Sequence, residues 1–166
     1  MAHMNYGCMH PSPKTTEYPV AASQYFAHDG PNLVYLDSSG NVTKALTTAT
    51  TTIFGIAVIP KGRGNPTNTS DVYWMSSATA AEDRVPVIKV DSNYNFLLLS
   101  NGTPTAAQAG NACDVLAVND ANPDYVAVAT STTNVMIIQG RGIDFDNRAG
   151  TADVVVKLNR TTRQGD

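Results

Sequence analysis

Charge is scarce in this sequence. Only 15% of its 166 residues are charged, and 11 basic against 14 acidic side chains leave a formal net charge of -3. This excludes the domain-wide positive field with which nucleic-acid binders neutralise phosphates. The cations are scattered singly, and Asp144 and Asp146 offset the field of nearby Arg141 and Arg148. Nucleic acid is therefore not an expected partner. Long apolar runs are missing as well. No stretch approaches the roughly 18 consecutive apolar residues of a membrane span, and MAHMNYGCMHPSP has no secretory apolar region. No membrane partner is expected, and synthesis in a cytoplasm is.

The residues that usually carry chemistry are few. Cys8 and Cys113 are the two cysteines, far apart in sequence, and are expected to be free thiols, Cys113 as a small buried hydrophobe. His3, His10 and His28 are the three histidines. With Cys8 they match no common zinc spacing, so no metal is expected. Asp144 and Asp146 supply oxygen ligands in one loop, but Arg148 stands where a third acid would help and the EF-hand pattern is absent. Neighbouring carboxylates on one loop also do not define two sides of a sugar. There is no nucleophile elbow, and neither Gly62-Arg63-Gly64 nor Gly140-Arg141-Gly142 matches a phosphate cradle. An enzyme is not expected, and no cofactor is implied. The N-x-S/T sequences at Asn41, Asn68, Asn101 and Asn159 read as by-products of a Thr-rich and Asn-rich composition.

What the sequence does have is short β-prone runs separated by turn chemistry. Leu33 to Leu36, Val42 to Leu46 and Ile53 to Ile59 read as a β-meander, with Asp37-Ser38-Ser39-Gly40-Asn41 as its first turn. Further strands are predicted over 20–27, 71–76, 85–90, 96–99, 113–118, 125–130, 135–139 and 152–158. Pro86 argues that its strand lies at an edge or begins there. Thr103 as cap, Pro104 in the first turn and Gly110 as stop predict one helix of at most two turns. Thr79 and Glu82 have capping-box spacing, but Pro86 follows too soon for a helix. The prediction is an all-β small barrel or sandwich with one short helix and extended arms at both ends. Its divisions are an N-terminal arm over 1–19, one β domain over 20–158 and a C-terminal tail over 159–166. No internal repeat is convincing, although the two Gly-Arg-Gly sequences echo each other after apolar strands. The polar loop 61–70 is long enough to be read as functional.

The order of elements is familiar. An aromatic run before His28-Asp29-Gly30, then LVYLDSSGNVTKA, IFGIAVIPKG, SDVYWMSS, EDRVPVIKV, FLLLS, a short Ala/Gln/Gly helix, NACDVLAV and VVVKLNRTTRQGD resembles capsid decoration (cement) proteins of tailed bacteriophages. The likeness runs from about Ala22 onward and rests on element order, not on a reactive motif. It implies a structural virion protein on the capsid exterior, a homo-oligomer bridging neighbouring major capsid protein subunits. Aromatics and arginines dominate interfaces, so Tyr6, Met9 and Tyr18 are the expected arm anchors and Arg63, Arg160 and Arg163 the expected polar contacts. The apolar arm residues need burial, on the domain's own surface or on a neighbour. The alternative is a fibre or adhesion module that stacks carbohydrate on Trp74, Tyr73, Tyr94 and Tyr125, although Trp74 suits a core better.

Overall fold

A computed structural model describes residues 7–8, 14–28, 32–44, 53–59, 73–89, 95–101, 105–116, 125–127, 136–141 and 151–159. Within them the chain is all-β. The strands are β1 (Gly7–Cys8), β2 (Thr15–Pro19), β3 (Tyr25–Ala27), β4 (Asn32–Leu36), β5 (Val42–Lys44), β6 (Gly55–Ala57), β7 (Tyr73–Met75), β8 (Arg84–Lys89), β9 (Asn95–Asn101), β10 (Ala112–Leu116), β11 (Tyr125–Ala127), β12 (Met136–Arg141) and β13 (Thr151–Leu158). One sheet has the order β2-β8-β6-β4-β5 and another β1-β9-β11-β10-β12-β13, with β9 also paired to β13. A small third sheet joins β3 to β7.

Strand β4 explains how the layers fit. Side chains alternate across a strand, and both faces of β4 are apolar. Val34 and Leu36 enter a first core with Val20, Phe26, Val42, Phe54, Ala57, Ile59, Trp74, Val85 and Val87. Leu33 and Tyr35 enter a second core with Ile53, Ile56, Phe96, Leu98, Cys113, Met136, Ile138 and Val156. The β4 and β6 region is thus a wall common to both cores. A strand buried on both faces has a packed layer on either side, and within its sheet β4 lies between β5 and β6. That corrects the expected meander. The hairpin β4–β5 is present, but the next strand crosses β4 and pairs on its far side.

Proline placement also differs from expectation. Strand β8 is internal, flanked by β2 and β6. The Ala57–Val87 pairing ends β6, so Pro86 faces Val58 just beyond it, and the Pro86 carbonyl accepts from the Val58 N–H at 2.9 Å. No ladder donor is needed from Pro86 at that place. Among the described residues of the predicted helix region, only a 3-10 turn at Ala106–Gln108 forms. Thr105, two residues after the predicted cap Thr103, heads it: the Gln108 Oε1 accepts from the Thr105 N–H at 2.7 Å. Gly110 does stop it, at φ +88°.

A recurrence that residue patterns conceal becomes visible in the pairings. In the first sheet β2 pairs with β8, β8 with β6, β6 with β4 and β4 with β5, all antiparallel, and Val20 after β2 meets Val42 in parallel. In the second, β9 pairs with β13, β13 with β12, β12 with β10 and β10 with β11, all antiparallel, and β11 meets β9 in parallel. These are the same five connections in the same senses. Each circuit is completed only by a short parallel contact, so neither sheet is a continuously hydrogen-bonded closed barrel among the described residues.

Two polar devices fix the turns. Buried Asn32 receives the Ala27 N–H on Oδ1 at 2.7 Å and donates Nδ2 to the Ala27 carbonyl at 2.9 Å, clamping the end of β3 to the start of β4. In the β4–β5 turn the Asp37 Oδ1 accepts from the N–H groups of Ser39 and Asn41, both at 2.8 Å, and Gly40 takes φ +79°. The Asn41 N–H bond, the largest influence, holds the Asp37 carboxyl below its ordinary range. A lowered native pKa contributes stability that is present above the unfolded pKa and is lost as pH falls through the native one. Exposure limits the effect: Asp37→Ala is expected to lose about 1 kcal/mol at neutral pH. Chemical denaturation along a pH series checks this, with the difference from the parent fading below about pH 4.

Candidate partner-binding surface

The arm was expected to carry the contacts, and part of it belongs to the body. Residues 15–19 form β2, antiparallel to β8 with Tyr18 opposite Val85. Further toward the N-terminus, Gly7 and Cys8 pair antiparallel with Leu97 and Phe96 of β9. The N-terminal segment therefore lends a strand to each large sheet by main-chain hydrogen bonding.

Side-chain polarity follows from β2 lying at a sheet edge. Thr15, Thr16 and Glu17 are exposed, whereas Tyr18 and Pro19 are half-buried. The Tyr18 ring packs edge-on against Phe54, with centroids 5.0 Å apart at 84°, and it borders the first core. Of the six expected contact residues Tyr18 is thus an anchor within its own domain, one of the two destinations anticipated for the arm's apolar side chains. Tyr6, Met9, Arg63, Arg160 and Arg163 lie outside the described residues. Around this edge the Arg84 Nη2 donates to the Glu17 carbonyl at 2.9 Å. The Lys89 ammonium stands 5.7 Å from the centroid of the Phe54 ring.

Polar side chains tie the third sheet to its surroundings, and Ser76 and Gln24 among them stand in no sequence pattern. The buried Ser76 hydroxyl accepts from the Gln24 N–H and donates to the Ala21 carbonyl, both at 2.8 Å. The Gln24 Oε1 in turn accepts from the Lys44 N–H at 3.1 Å. Ser77 and Glu82 hydrogen-bond across the turn before β8, and the Asp83 Oδ2 accepts from the Ser77 N–H at 2.6 Å. These are positioning contacts, made within the chain.

Cys113 is fully buried in the second core and free. Burial first, and the neighbouring Asp114 second, push its thiol up to about 12. At neutral pH the nucleophilic thiolate is therefore suppressed. In a Cys8→Ser background, Cys113 is expected to react with a thiol reagent only on unfolding, with native labelling slower by about a hundredfold or more. Rapid native labelling measured against a denatured control contradicts this. The His28 Nε2 is shielded and has no hydrogen-bond partner among the described residues. No group of three His, Cys, Asp or Glu side chains among those residues is placed to hold a metal ion. No described helix is long and apolar enough to cross a membrane. No protein-family model, no curated protein and no solved structure matches this chain.

Proposed function

We propose that this is a structural virion protein that binds the outer surface of an assembled phage capsid. In this reading it stabilises the shell by bridging neighbouring major capsid protein subunits, works as a homo-oligomer there, and is not an enzyme. The resemblance in element order motivates the reading. The observation that carries it is the N-terminal segment, which joins two sheets through main-chain pairing. Strand addition of this kind suits attachment to another protein's sheet edge. A surface poor in charge also suits packing against protein, and repetition over a shell multiplies modest contacts.

The test is co-sedimentation of the purified chain with undecorated heads, followed by heating of the decorated particles. Saturable binding and a higher rupture temperature are expected. Failure of the full chain to co-sediment overturns the proposal. The carbohydrate-binding alternative loses its best platform, because Trp74 is 1% exposed and Tyr73 is packed on Tyr25 with ring centroids 5.3 Å apart.

A further inference from the structure

The repeated connections make the two large sheets comparable position by position. In the second unit β9 is the first strand, and its leading part at Phe96–Leu97 is covered by β1 ahead of the parallel contact at Leu99–Ser100. In the first unit β2 is the first strand, and its leading part precedes the parallel contact at Val20. Among the described residues no strand covers that part of β2, and Thr15, Thr16 and Glu17 are exposed. Among the described residues the chain supplies a cover strand for one unit and leaves the counterpart edge open. Natural proteins usually block such an edge.

We infer that the open edge of β2 pairs antiparallel with β2 of a second copy across a two-fold axis at Thr16, joining two first-unit sheets into one. The backbone direction fixes the phase. Glu17 is opposite Pro86, whose carbonyl faces the β6 side, where it accepts from Val58. A residue's N–H and C=O point to the same side of a strand. The pair Glu17–Pro86 is therefore a non-hydrogen-bonded one, and the N–H and C=O of Glu17 and Thr15 point away from β8.

The sequence around them is symmetric in what it permits: Pro13-Lys14-Thr15-Thr16-Glu17-Tyr18-Pro19. With the axis at Thr16, Thr15 of each copy exchanges hydrogen bonds with Glu17 of the other, and the two Thr16 side chains meet as a favourable cross-strand pair. An axis at Glu17 opposes two carboxylates and sets Thr15 against Pro19, which has no N–H. An axis at Thr15 sets Glu17 against Pro13, with the same defect. Only the Thr16 register pairs both outward N–H groups, those of Thr15 and Glu17, without a like-charge pair; beyond them Pro13 of one copy stands opposite Pro19 of the other, where neither residue has an N–H to place. The Glu17 carbonyl keeps a lone pair for this purpose beside its bond from Arg84. Such a dimer is isologous and closed, as a two-fold contact must be. It forms between copies in solution and does not depend on the capsid reading.

Three measurements on the full chain decide it. Sedimentation equilibrium of the parent protein is expected to show a monomer–dimer equilibrium. Glu17→Pro removes the outward N–H and leaves the β2–β8 bonds intact, so it weakens the dimer by about tenfold or more with an unchanged far-ultraviolet spectrum. Thr16→Cys places two thiols across the axis in a non-hydrogen-bonded pair, where Cα atoms about 4.5 Å apart allow a disulfide. It is expected to link copies on mild oxidation, and Lys14→Cys, which faces Tyr18 of the other copy, is not. A parent that stays monomeric overturns the inference, even if Glu17→Pro then loses binding to heads, which would assign the edge to the shell. So does a folded Glu17→Pro protein that dimerises like the parent, or cross-linking of Lys14→Cys as readily as Thr16→Cys.

Discussion

Gly55→Ala is expected to lower stability by about 3 kcal/mol, more than a methyl group suggests. Gly55 lies in β6 between β4 and β8, opposite Lys89. A Cβ built on it meets the Val87 Cγ1 at 2.5 Å and the Ile88 carbonyl oxygen at 2.6 Å. Val87 is fully buried, so its side chain has little room to turn away. The second obstacle is backbone, hydrogen-bonded into an internal strand, and moves only if β6 and β8 separate. Because β4 and β6 form the wall between the two cores, that separation disturbs both. A thermal melt reads the loss as a fall of about 10 °C for a domain of this size. A drop under about 2 °C means that the strands part cheaply, and the shared-wall account of β6 fails.

That glycine shows where residue patterns stop being informative. Ile53 to Ile59 is legible as a strand because β-branched residues crowd there. The reason for a glycine in its middle is the approach of Val87 and Ile88, which comes from later in the chain. Most strand positions were legible for the same local reason, from the run Leu33–Leu36 to the run ending at Leu158. The strands came out shorter than expected where only part of an apolar run finds a neighbour: the prediction over 20–27 retains Tyr25–Ala27, while Ser23 at φ +53° turns the chain before it. Order within the sheets was not legible. Hairpin chemistry at Asp37 to Asn41 specifies β4–β5, but nothing nearby specifies that β6 crosses to the other side of β4.

The edge strand β2 was concealed by its own exposure. Thr15, Thr16 and Glu17 carry no apolar alternation, and flanking prolines read as an extended arm. Pairing with β8 supplies the missing order through backbone groups, which composition does not record. Tyr18 stands half-buried against Phe54 of its own domain. Asn32, just outside the predicted strand, carried no signal because its role lies in two bonds to Ala27 across a turn. The recurrence of five connections escaped the sequence for a related reason. A sheet order can be kept while the inward side chains change, as Leu33 on β4 and Cys113 on its counterpart β10 illustrate.

Trp74→Ala is expected to cost about 3–5 kcal/mol and a fall in melting temperature of about 10–15 °C, measured by calorimetry. The indole is a member of the first core, stacked at a tilt on Phe26 with centroids 5.7 Å apart. Phe26 is its register partner across β3 and β7, a strand pair of three residues each, with Tyr25 opposite Met75 and Ala27 opposite Tyr73 on either side. So small a sheet is held mainly by the side chains it buries, not by its ladder. Removing the indole leaves a cavity lined by residues that β4, β5 and β8 hold in place, so collapse around it is limited. Trp74→Phe refills most of that volume and should recover more than half of the loss. The pair of substitutions also separates packing from recognition. A stacking platform for sugar leaves stability nearly unchanged when truncated and loses binding, whereas a core indole loses stability in proportion to the volume removed.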